Sequence, residues 1–146
     1  MNKVYAFIII IPLIAIIFFK TISFYEFDTK QRYIKNAIDS ATHKVMLTGV
    51  MTVKDKEELM TKLQKISSFK DEDIILKCGS MDSDGTLASL SSYNLGDVLD
   101  RGEIFSIYIQ SEAEANFSKM EGKAEDDKLF YKAKAICRVE KNKQLD

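Results

Sequence analysis

Two cysteines, one histidine and a few acidic clusters are the residues in this chain whose types and spacing could do chemistry. Cys78 and Cys137 both lie in segments of alternating apolar pattern, on what would be the inner face of strands. If those strands are neighbours, the two sulfurs could pair. The bond would close a loop of about 60 residues, worth roughly 4 kcal/mol in the chain-entropy picture. The other reading is a pair of small buried hydrophobes, the usual behaviour of a free cysteine. Neither has a Cys-x-x-Cys partner or a nearby histidine, so redox and nucleophilic catalysis are not expected.

The remaining candidates are weaker. Asp82-Ser83-Asp84-Gly85 resembles a fragment of a calcium loop, but Gly follows the second Asp directly and the later acids are absent. It reads as a surface turn. Glu121, Glu125, Asp126 and Asp127 alternate with Lys119, Lys123 and Lys128, the pattern of a solvated loop. His43 falls on the polar side of a helical stripe and reads as a surface residue. Asn116-Phe117-Ser118 fits the glycosylation triplet. There is no Gly-rich phosphate loop, no Gly-x-Ser-x-Gly and no His-Glu-x-x-His. The sequence therefore points to a protein that is not an enzyme, with no catalytic residue, metal or cofactor. The bases are 18 Lys and 3 Arg, and residues 21–146 hold 19 of these 21 against all 22 acids, a balance of −3. Nucleic-acid readers need a basic face and Arg forks, so no nucleic-acid partner is expected.

The elements that must position any site begin with an apolar run. Val4 to Phe19 carries no polar side chain except the Tyr5 hydroxyl. Those residues make about 24 Å of helix, against a bilayer core of roughly 30 Å. Lys20 can snorkel and residues 21–25 continue the apolar character, so 4–22 is read as a membrane anchor behind a short tail, 1–3. Val4, Phe7, Ile8, Pro12, Ile16 and Phe19 are its marker residues. Phe18, Phe19, Phe24, Tyr25 and Phe27 would sit at the interface. Phe19-Lys20-Thr21-Ile22 offers no Ala-x-Ala site, which argues against a cleaved signal peptide. Counting Lys and Arg alone would keep the C-terminal part inside. Anchors with a very short N-terminus and a folded domain behind them often face outward, and an extracytoplasmic head in the cell membrane is the expectation here. Pro12 sits mid-span, where it removes a donor to the Ile8 carbonyl and can bend a helix that packs into an assembly.

Residues 23–146 read as one soluble α+β head. Ile34, Ala37, Ile38, Ala41 and Val45 form one apolar stripe, predicting a helix over 28–47 with no Pro or Gly between it and the anchor. One long helix results, its first half in lipid and its second half on the head. Gly49 should end it. Thr52-Val53-Lys54-Asp55 reads as a capped start of one further short helix, about 54–67, with Leu59, Met60, Leu63 and Ile66 inward. A strand over 73–78 puts Ile74, Leu76 and Cys78 on one face. Residues 80–101 read mostly as loop, with a short element considered at Thr86–Leu90. Strands over 103–113 and 129–140 place Phe105, Ile107 and Ile109, and Tyr131, Ala133, Ala135, Cys137 and Val139, on inner faces. They should pair antiparallel across a charged connection, 116–127. The helical stripe is the natural cover for the sheet.

This order, with a short N-terminus, an apolar span with a central Pro, a continuous amphipathic helix and a small α+β head ending in strands, is pilin-like. The span Ala6-Phe7-Ile8-Ile9-Ile10-Ile11-Pro12-Leu13 and the segment from Ala41 to Ile75, through Leu47-Thr48-Gly49-Val50, resemble TadE-like pseudopilins of Gram-positive pilus-like and conjugative machinery. The resemblance implies a non-enzymatic single-pass subunit of a secretion- or conjugation-related assembly. Its partners would be the lipid bilayer and other pilin-like subunits or a membrane platform protein. Two departures stand out: no Gly precedes the span, and no acid occurs before Glu26. Prepilin-peptidase processing, and the contact of a family Glu with a neighbour's terminal amine, are thus not implied for this chain. The alternative is a generic membrane-anchored extracytoplasmic binding module for a small ligand or cell-wall component, which would need a closed apolar cleft.

Overall fold

Between Asn2 and Thr48 the sequence holds one helix-breaking residue, Pro12, and no glycine, and the helix runs through without stopping. In the computed structural model, which describes residues 2–82, 85, 89–122 and 127–141, this stretch is one helix, α1 (Asn2–Thr48). At 1.5 Å per residue it is about 70 Å long. It continues through Pro12. Gly49 ends it with φ +73°, its N–H donating to the Val45 carbonyl at 2.7 Å.

The chain turns at this corner into α2 (Val53–Gln64). Thr52 and Asp55 close a reciprocal capping box: the Asp55 N–H donates to the Thr52 hydroxyl and the Thr52 N–H donates to the Asp55 carboxylate. After a 3₁₀ turn (Asp71–Asp73) come β1 (Ile74–Gly79), β2 (Ser91–Ser92) and β3 (Ile104–Glu114). A six-residue helix, α3 (Asn116–Glu121), and the last strand, β4 (Phe130–Arg138), complete the chain. The sheet order is β2-β1-β3-β4, all pairs antiparallel. The protein is thus α+β, a long N-terminal helix on a small antiparallel sheet.

The expected apolar faces are the ones that meet. Ile34, Ile38 and Val45 of α1 pack with Phe105, Ile107, Ile109, Tyr131, Ala133, Ala135 and Val139 in one core, joined by Leu59, Met60 and Leu63 of α2. Ala37 and Ala41 lie at its edge, small enough to let the helix close on its neighbours. The loop over 89–103 is tied in by Tyr93, whose hydroxyl accepts from the Met51 N–H at 3.0 Å and whose ring meets Phe105 edge-on at 5.1 Å. Desolvation raises the Tyr93 pKa, and its hydroxyl donates to the Asp97 carbonyl.

Three features differ from the sequence reading. First, β2 is a two-residue strand in the stretch read as loop; it has no apolar pattern and exists only by pairing with Lys77 and Cys78. Second, the connection after β3 opens with a helix, because Phe117 finds partners on α1. Third, the cysteines do not bond. Cys78 and Cys137 both stand opposite Phe105, one from each side, so β3 lies between them and both thiols are free. Two strand spacings are about 9.6 Å, beyond the reach of a disulfide. Met1, Ser83, Asp84, residues 86–88 of the considered short element, and Lys123, Glu125 and Asp126 of the acidic cluster lie outside the described residues.

Candidate functional site

The candidate functional element is α1. Val4, Phe7, Ile8, Ile16 and Phe19 are each between 58% and 64% exposed, and Pro12 is exposed beside them. No part of the apolar span is buried by the rest of the chain. In water such a surface, contiguous round a whole helix, is far larger than a soluble monomer carries. The helix is long and apolar enough to cross a membrane. Among the described residues it is the one helix that meets that test.

The head begins on α1 where the apolar run ends. A register shift between Gln110 and Glu114 loosens the end of β3 against β4. The buried Ser111 hydroxyl repairs the gap, accepting from the Tyr131 N–H at 3.0 Å and donating to the Ala113 carbonyl at 2.8 Å. The strand then bends into α3. The buried Ser118 hydroxyl holds that helix to the returning chain by accepting from the Leu129 N–H at 3.0 Å. Phe117 thereby reaches α1, edge-on to Phe24 at 5.4 Å and tilted on Phe27 at 6.5 Å. Phe27 stacks on Tyr131 at 5.3 Å. Lys20 meets Glu121 at 3.7 Å, and the Ser23 hydroxyl lies 2.8 Å from the Met120 sulfur.

This aromatic collar corrects one expectation. Phe27, expected among the interfacial aromatics, turns into the head, where it is partly buried against the core. Phe24 and Tyr25 keep much of their surface outside it. The collar was not readable in sequence, because Phe117 sits in a stretch whose charges suggest a loop. The one available sign was an aromatic isolated within it.

Above the collar α1 runs along the edge strand β4. The Gln31 side-chain amide donates to the Lys132 carbonyl, while its own oxygen is buried with no partner among the described residues. The Cys137 thiol donates to the Thr42 carbonyl at 3.4 Å. Burial pushes the Cys137 pKa up to about 11, so it stays a protonated, inert thiol at neutral pH. On the opposite side of α1 a hollow of about 580 Å³ lies between Ile22, Tyr25, Tyr33 and Ile66, bordered by the Glu26–Lys30 ion pair. His43 is exposed on α1, as its side of the stripe implies. Among the described residues no group of three or more His, Cys, Asp or Glu is placed to hold a metal ion.

No family model matches this chain, and neither a curated protein nor a solved structure matches it. The class it belongs to therefore rests on its own architecture: a head whose main helix extends without a break into an exposed apolar span.

Proposed function

We propose that this chain is a non-enzymatic, single-pass membrane subunit of a pseudopilin-like kind. Its head is extracytoplasmic, and it works in a pilus-like or conjugation-related assembly with other pilin-like subunits or a membrane platform protein. The observation that carries the reading is the continuity of α1. A tether that only held a binding module near a membrane would need no rigid connection. Here one helix passes from the apolar span into the core of the head, so a force or a bend in the span is transmitted to the head. Packing and lipid entropy would drive lateral association of the span, and Pro12 would shape it.

Two experiments test this. Protease shaving of intact cells carrying a C-terminal tag should remove the tag without lysis. Survival of the tag until lysis would put the head in the cytoplasm and end the proposal. Crosslinking of Pro12→Leu should then show impaired assembly with membrane insertion intact. Normal assembly of that variant would remove the role given to Pro12.

A further inference from the structure

The base of the head lies at the height where the bilayer must end. A hydrocarbon core of roughly 30 Å takes about 20 helical residues. Counted from Val4, they end at Ser23. At that height α3 packs against α1, through Glu121 on Lys20, Met120 on Ser23 and Phe117 on Phe24. Ile22, Phe24, Tyr25 and Met120 are exposed there, the last 51% exposed on α3, together with Thr21, Asn116 and Glu121, whose carboxylate pairs with Lys20. Lys20 and Lys119 flank them and are exposed too. Apolar groups fringed by lysine suit the boundary between acyl chains and headgroups, not open water.

We propose that the head sits directly on the bilayer, with α3 as an interfacial foot. Met120, together with Phe24 and Tyr25 of α1, enters the headgroup–acyl boundary. The partner of this surface is lipid, and the proposal rests on the reading of α1 as a membrane span. It goes beyond anchoring because it sets the pose of the head. The long axis of the head follows α1, and the corner at Gly49 stands about 43 Å above Lys20, at 1.5 Å per residue. The 89–103 segment, held to that corner by the Leu99 N–H donating to the Gly49 carbonyl, is then presented at the end of the head away from the membrane. The lipid-facing base is closed to other partners.

The test uses tryptophan, which the chain lacks. Single variants Met120→Trp, Tyr25→Trp, Ile10→Trp and Val98→Trp of the full chain are reconstituted in phosphatidylcholine vesicles, with and without lipid brominated near the top of the acyl chains. Far-ultraviolet circular dichroism like that of the parent and an unchanged urea midpoint show which variants fold. Tyr25→Trp, at the same height on α1, carries the test if Met120→Trp does not fold. Blue-shifted emission of Met120→Trp or Tyr25→Trp, quenched at least twofold by brominated lipid, is expected, as is quenching of Ile10→Trp. Val98→Trp should emit as in water. Quenching of Ile10→Trp alone would overturn the foot and leave the span standing. No quenching at Ile10→Trp would overturn the span itself. Blue-shifted but unquenched emission at Met120→Trp would put protein on that surface instead of lipid, and would equally overturn the proposal.

Discussion

Replacing Gly49 by alanine should loosen the corner that holds the long helix to the head. Gly49 has φ +73°, a left-handed conformation that costs an alanine about 1–2 kcal/mol. The close approach adds to this. A Cβ at Gly49 would lie 2.8 Å from the Leu99 carbonyl oxygen, a backbone atom. That oxygen is not free to retreat, since the Leu99 N–H donates to the Gly49 carbonyl at 2.7 Å and the Leu99 side chain is buried. Shifting it strains a hydrogen bond and the packing beneath, for a further penalty of about 1–3 kcal/mol. Part of both is offset because alanine stiffens the unfolded chain by roughly 0.4–1 kcal/mol. The net expectation is about 3 kcal/mol at Gly49. Gly96 is the control: its φ is +90°, but nothing lies within 4 Å of a Cβ placed there. Gly96→Ala should lose only about 1 kcal/mol. Urea unfolding of the detergent-solubilised chain, followed by tyrosine near-ultraviolet circular dichroism, gives both values from the midpoints at unchanged slope. Equal losses in the two variants would refute the close-approach argument.

Other outcomes follow from the core, the cap and the thiols. Ile38→Ala empties a fully buried position between α1 and the sheet and should destabilise the head by about 3 kcal/mol in the same urea assay. Phe27→Ala, which removes the ring between Tyr131 and Phe117, should cost about 3 kcal/mol and free α3, read as faster amide exchange over 116–121. Burial of Asp55 pushes its carboxyl upward, but the Lys44 ammonium and the Thr52 N–H and hydroxyl outweigh that and bring it down to about 2. The stabilisation from Asp55 is therefore complete above its ordinary value of 3.8 and is lost as pH falls through about 2. Asp55→Asn should flatten the acid limb of stability in that window by about 1 kcal/mol, and an unchanged limb would exclude the mechanism. Oxidation with diamide should give no Cys78–Cys137 bond on non-reducing gels, and Cys137 should alkylate only after unfolding, since its thiol is held at about 11.

Much of the head was readable because its signals are local. The stripe from Ile34 to Val45, the glycine at position 49 and the Thr52–Asp55 box each act within one or two helical turns, and all three stand where they were expected. The alternations over 103–113 and 129–140 are equally local and become the faces of β3 and β4. The collar is different. Phe117 and Phe27 lie 90 residues apart and reveal no pairing until the bulge at the end of β3 swings α3 onto α1. The short strand β2 and the buried Tyr93 likewise depend on what β1 and Met51 offer them.

From its residues alone this chain determined a membrane-length apolar helix continuous with an amphipathic one, and a sheet with one apolar face to be covered. Hydrophobic periodicity and the absence of Pro or Gly between residues 13 and 48 dictate those without reference to distant parts. Tertiary structure decided the strand order, and with it the separation of Cys78 from Cys137 by Phe105. It also decided that Phe27 faces the head and that α3 packs at the level of Lys20. Periodicity tells a strand which face is apolar but not which strand lies beside it, because neighbours are chosen by packing between segments far apart in sequence.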